Sequence, residues 1–177
     1  LVPCQGRDHG VGKVGVYAID PEDNHLSEAF VWTARKGAEP RHVAIHPNRK
    51  WMYLVNEKDS TVLFFHFDEG TGTLEPRQMV TTLPDDYFGP GWASGIVMGP
   101  EGKAVYVSNR THDSVTVFAI DPEIGRLSFR QRADAKKETE VQRHMIPLKT
   151  AIADDDRYIC QQIQECLMQY STQKDID

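Results

Sequence analysis

The segment Trp51-Met52-Tyr53-Leu54-Val55-Asn56-Glu57 returns as Ala104-Val105-Tyr106-Val107-Ser108-Asn109-Arg110, and its surroundings return with it. Tyr53 and Tyr106, Asn56 and Asn109, Phe65 and Phe118, and Leu74 and Leu127 are all 53 residues apart, with no insertion between the copies. The later half of the unit also stands near the start. There Val14-Gly15-Val16-Tyr17-Ala18-Ile19-Asp20-Pro21-Glu22 matches Val115-Thr116-Val117-Phe118-Ala119-Ile120-Asp121-Pro122-Glu123. A period near fifty residues, filled with short apolar runs and turn residues, restricts the chain to stacked supersecondary units.

Within one unit the pattern is that of strands. Val43-Ala44-Ile45 is a β-branched run stopped by the turn His46-Pro47-Asn48-Arg49-Lys50, and Trp51 to Val55 is a second apolar run. Thr61 to Phe67 and Leu74 to Thr82 supply a third and a fourth, divided by the turns Lys58-Asp59-Ser60 and Asp68-Glu69-Gly70-Thr71-Gly72. Four short strands joined by tight turns make one antiparallel blade, so the expected fold is all-β, a β-propeller. A weaker copy at Ile159-Cys160-Gln161-Gln162 and Leu167-Met168-Gln169-Tyr170 extends the pattern. The expected division of the single domain, 1–177, is a partial blade over 1–36, blades over 37–90 and 91–140, and a partial blade over 141–177.

Length conflicts with closure. The 177 residues hold roughly three to three and a half blades, and closed rings need about four to eight. The expectation is a portion of a longer protein, or a truncated copy that completes itself by self-association and so covers its bare strand edges.

Composition narrows the partners. A formal net charge of −6 is the wrong sign for a nucleic-acid surface, and no apolar run is long enough for a membrane span. Cys4, Cys160 and Cys166 show neither a disulfide framework nor zinc-ligand spacing, which favours a reducing, cytoplasmic setting. His9, His25, His66 and His112 share no ligand spacing, and Asp154-Asp155-Asp156 falls at a turn position. His46, ahead of Pro47, reads as a structural turn residue, and Trp32, Trp51, Phe64 and Phe65 as packing between sheets.

Antiparallel pairing places the start of a blade's first strand beside the end of its second. Arg41 and His42 then share a rim with Asn56 and Glu57, and the next blade brings Asn109 and Arg110 to the same mouth. Arginines suit a carboxylate or phosphate, His42 with Glu57 suits proton transfer, and asparagines can donate to an oxyanion. The expected roles are catalytic for His42 and Glu57, and substrate-binding for Arg41, Asn56, Asn109 and Arg110. The competing reading makes all six satisfy turn backbone.

The combination Gly37-Ala38-Glu39-Pro40-Arg41-His42, His46-Pro47-Asn48, Tyr53, Val55-Asn56-Glu57, Trp92-Ala93, Pro100-Glu101-Gly102, Tyr106 and Asn109-Arg110 resembles the seven-bladed propeller lactonases. That family includes propeller-type 6-phosphogluconolactonases and carboxymuconate cyclases. The resemblance implies a cofactor-free hydrolase of a small anionic sugar lactone, with Arg41, His42, Glu57 and Arg110 at pocket positions. Gly95-Ile96-Val97 departs from the acidic residue and His that follow Trp-Ala in members of the family, and Leu148-Lys149 from the Arg-His pair. Three functions follow: hydrolysis of 6-phosphogluconolactone in the pentose phosphate route, lactonisation of a carboxylated muconate, or a non-catalytic binding propeller.

Overall fold

A computed structural model describes residues 1–7 and 10–134. Eleven strands are present in chain order: β1 (Val2–Cys4), β2 (Lys13–Ile19), β3 (Leu26–Thr33), β4 (Pro40–Ile45), β5 (Trp51–Asn56), β6 (Thr61–Phe67), β7 (Leu74–Thr81), β8 (Ala93–Met98), β9 (Ala104–Asn109), β10 (Ser114–Ile120) and β11 (Leu127–Asp134). They form three antiparallel sheets with neighbour orders β1-β2-β3, β4-β5-β6-β7 and β8-β9-β10-β11. The expected all-β blades are present, and the second and third sheets repeat strand for strand at the 53-residue offset. The first strand of the second sheet is longer than the sequence suggested, starting at Pro40 rather than Val43. The expected fourth unit, with Leu148, Lys149, Asp154-Asp155-Asp156, Cys160 and Cys166, lies outside the described residues, as does His9.

Every residue of β5 is buried, because both faces of its sheet are covered. Side chains alternate across a strand, so Met52 and Leu54 join Val14, Val16, Phe65 and Leu74 in the core between the first two sheets. Trp51, Tyr53 and Val55 turn the other way, onto Ala93, Ile96, Val105, Val107, Phe118, Ile120 and Leu127 of the third sheet. Trp32 meets Phe65 edge-on at 5.0 Å between ring centres, so its packing role holds.

Turns also stitch neighbouring sheets. Gly125 adopts φ 75°, and a Cβ there would lie 2.6 Å from both the Phe64 and Trp51 rings, so the turn after β10 seats on the blade before it only as glycine. Its carbonyl accepts the Tyr53 hydroxyl at 2.8 Å, and burial raises the pKa of that phenol above its ordinary value. His46 is structural, as its turn position suggested. Its Nδ1 accepts from the Asn48 backbone N–H at 3.1 Å, which leaves Nε2 to donate to the Gly102 carbonyl at 3.1 Å in the next sheet.

Candidate active site

Each blade opens with the same backbone bond. The Glu57 N–H donates to the Glu39 carbonyl at 2.8 Å, and 53 residues later the Arg110 N–H donates to the Trp92 carbonyl at 3.0 Å. Glu39 and Trp92, Arg41 and Ser94, and Glu57 and Arg110 are therefore equivalent positions whose side chains have diverged. The first partial blade adds a third member. Cys4 pairs with Lys13 as Asn56 pairs with Thr61 and Asn109 with Ser114, so Gln5 stands where Glu57 and Arg110 stand.

Glu57 is the hub of this mouth and is 2% exposed. Its Oε1 accepts from Arg7 Nη2 at 2.7 Å and from Arg110 Nη2, and its Oε2 from Arg41 Nε at 3.0 Å and from Gln5 Nε2. Glu39, held at φ 58°, takes Arg7 Nε at 3.1 Å and Lys58 Nζ at 3.6 Å. A left-handed glutamate at a charged cluster is the kind of backbone strain that sites retain. The two acidic charges raise the pKa of the Arg7 guanidinium above its ordinary value, Glu57 contributing most and desolvation opposing.

Arg41 sits where the β4–β5 register slips, between the pairs Pro40–Asn56 and His42–Val55. Such a bulge re-aims a side chain. Arg41 Nη1 donates to Ser94 Oγ at 2.8 Å and lies 3.3 Å from His42 Nδ1. His42 Nδ1 is 3.1 Å from the Ser94 carbonyl. The carbonyl only accepts and the Arg41 guanidinium only donates, so the shorter contact, to the carbonyl, favours the Nδ1–H tautomer with Nε2 as the acceptor nitrogen. The sequence pairs His42 with Glu57 for proton transfer. In the structure the Ser94 carbonyl lies against His42 Nδ1, and Arg41 stands between the two expected catalytic residues.

Four of the six expected residues, Arg41, His42, Glu57 and Arg110, meet at one mouth. Asn56 and Asn109 are placed differently. Asn109 is 2% exposed, accepts from Thr82 Oγ1 at 2.5 Å, and donates to the Thr82 carbonyl, Ser114 Oγ and Thr116 Oγ1. Asn56 donates to Thr61 Oγ1 at 3.0 Å, and its Oδ1 is buried without a partner. Both amides brace strand ends inside the sheets instead of donating to an oxyanion. Gln5, Arg7, Glu39, Trp92 and Ser94 were not foreseen. Counting 53 residues from Glu39 and Arg41 leads to Trp92 and Ser94. No such count finds Gln5 or Arg7, because the loop from Cys4 to Lys13 is longer than the one from Asn56 to Thr61.

Among the described residues no group of three or more His, Cys, Asp or Glu could hold a metal ion, and no helix is long and apolar enough to cross a membrane. The mouth offers three arginines gathered on one buried carboxylate beside an oriented imidazole. It can bind an anion and move a proton.

Successive four-stranded antiparallel sheets of this topology are the blades of a β-propeller, here with a polar cluster at corresponding strand ends. The family model described as a seven-bladed β-propeller lactonase matches residues 5–159. The chain belongs to that family. It is 33% identical to a 6-phosphogluconolactonase of Bacillus subtilis over 129 residues, 73% of this chain and 36% of that protein. It is 35% identical to a 6-phosphogluconolactonase of Serratia proteamaculans over 131 residues, 72% of this chain and 38% of that protein. Among solved structures, the periplasmic gluconolactonase of Pseudomonas aeruginosa superposes with a TM-score of 0.64 at 26% identity, covering 75% of this chain and 40% of that one. The chain thus spans somewhat over a third of the length of relatives it matches.

Proposed function

We propose that this propeller hydrolyses a sugar lactone, with 6-phosphogluconolactone as substrate and 6-phosphogluconate as product. The observation that carries the reading is the placement of His42, oriented through Nδ1, on the same rim as the arginines gathered by Glu57. The names borne by the relatives support the same chemistry.

In the proposed reaction His42 Nε2 takes a proton from water as the oxygen attacks the lactone carbonyl carbon. The positive charge of the arginine cluster favours the oxyanion of the tetrahedral intermediate. The C–O bond to the ring oxygen then breaks, that oxygen receives the proton from His42, and the resulting carboxylic acid releases its remaining proton to solvent and leaves as the carboxylate. Glu57 does not move the proton here. Both of its oxygens already accept two donors each, and a proton on either would displace an arginine. Its part is to hold the arginines in place.

Gly95 and Val97 favour one other reading, a propeller that binds an anion without turning it over, since neither supplies an acid or an imidazole. Hydrolysis assayed alongside binding of 6-phosphogluconate separates the two. Turnover that disappears in His42→Ala supports the hydrolase, and binding with no turnover in the parent supports the binding module.

A further inference from the structure

Three arginines reach Glu57, but they are not equivalent. Arg41 is 16% exposed and spent on internal partners, with Nε on Glu57 and Nη1 on Ser94 Oγ. Arg7 and Arg110 keep 49% and 32% of their side chains accessible. Both donate through Nη2 to the same oxygen, Glu57 Oε1. Both also lie over one ring, their Cζ atoms 5.9 and 5.8 Å from the centre of Trp92. Arg110 uses only Nη2 among the described residues, and its Nε is buried with no partner.

The two exposed guanidiniums favour an anion at this spot. Arg7 and Arg110 share the single oxygen Glu57 Oε1, two positive charges on one carboxylate oxygen in a chain whose formal net charge is −6. One carboxylate oxygen bridging two guanidiniums holds them at a spacing that a further oxyanion can span, with planar donors suited to phosphate. Trp92 supplies an apolar face beside them. It is 36% exposed, whereas Trp51 is 9% exposed, and its backbone is fixed by the bond from Arg110. An indole face attracts guanidinium groups and accepts the C–H face of a sugar.

We propose that Arg7 and Arg110 are the clamp for the substrate's anionic group, that Trp92 is the platform for its sugar chain, and that Arg41 is an internal positioning strut. The clamp needs only an oxyanion ligand. Its connection to a lactone rests on the hydrolase reading above.

The test is calorimetric titration of the chain with inorganic phosphate and, separately, with 6-phosphogluconate. Arg7→Ala and Arg110→Ala each weaken phosphate binding by about tenfold to a hundredfold, the size of a lost charge-assisted hydrogen bond. Arg41→Lys keeps the charge but breaks the strut, and changes phosphate affinity by less than about threefold. Trp92→Leu removes about fivefold or more of the preference for 6-phosphogluconate over phosphate. Circular dichroism of each variant checks that the sheets remain. The proposal is overturned if the parent does not bind phosphate, if Arg7→Ala binds it as the parent does, or if Arg41→Lys loses as much as Arg7→Ala. A parent that binds phosphate through Arg7 and Arg110 yet opens no lactone leaves the clamp standing and removes the hydrolase. Turnover with an unchanged KM in Arg7→Ala does the reverse.

Discussion

Glu57 and Arg110 occupy the same position in successive blades and are joined by an ion pair through Glu57 Oε1. A repeat unit that had kept one residue at this position would set like beside like. Divergence to glutamine, glutamate and arginine at Gln5, Glu57 and Arg110 instead puts an acceptor between donors from both sides. Glu57→Ala leaves arginines partly buried without their counter-charge, and lowers stability by about 3 kcal/mol. Glu57→Gln loses less, because an amide oxygen still accepts. Urea denaturation of the two variants gives the comparison, and equal midpoints for parent and Glu57→Ala would show that the hub stabilises nothing.

The orphaned Asn56 Oδ1 has a structural cause one blade away. Asn109 Oδ1 is capped by the Thr82 hydroxyl, and the Thr82 N–H bonds the Ser60 carbonyl. The equivalent N–H upstream, bonding the Gly12 carbonyl, belongs to Ala34, which has no hydroxyl to offer Asn56. Ala34→Thr should therefore stabilise the chain by about 1 kcal/mol, and Thr82→Ala should destabilise it by about 1–3 kcal/mol. Thermal melting distinguishes the signs. A destabilised Ala34→Thr would mean that the 4%-exposed site lacks room for the added atoms.

Tyr53 ties its blade to the next through Gly125. Because burial raises its pKa, the folded state keeps a proton that the unfolded state sheds near pH 10. The stability from this group is whole below about pH 10 and declines as pH rises beyond it. Tyr53→Phe should be less stable at neutral pH by about 1 kcal/mol, with a shallower loss of stability in alkali. Parallel pH profiles for the two proteins would argue that the phenol is not sealed.

Gly125→Ala puts a Cβ into the Phe64 and Trp51 rings at positive φ. Gly72, its equivalent in the previous blade, would meet only the Ala29 and Val16 side chains, at 3.0 and 3.1 Å. Strain from φ applies to both, about 1 kcal/mol, so the extra loss at Gly125 measures the ring contact. Equal melting shifts for Gly72→Ala and Gly125→Ala would place that contact in doubt.

Much of this arrangement was legible from the 53-residue period. It gave the blade strands, the equivalence of Tyr53 and Tyr106, and a shared mouth for Arg41, His42, Glu57 and Arg110. What it could not give was direction within the sheet. Asn56 and Asn109 occupy the rim in sequence, yet their side chains turn into hydroxyl and carbonyl partners that lie far away along the chain. Nor does strand pairing foretell that a register slip at Arg41 inserts it between His42 and Glu57. Gln5 and Arg7 escaped because the first unit has a longer loop, which breaks the count that found the others.

The most direct test of the account is the rate of 6-phosphogluconolactone ring opening, followed by acid release, for the parent and for His42→Ala. The account predicts that the parent accelerates ring opening above the buffer rate. His42→Ala should lower kcat by about a hundredfold or more with little change in KM, as expected when a proton-transfer group is lost and binding is kept. A parent no faster than buffer, or a His42→Ala variant with undiminished kcat, would contradict it.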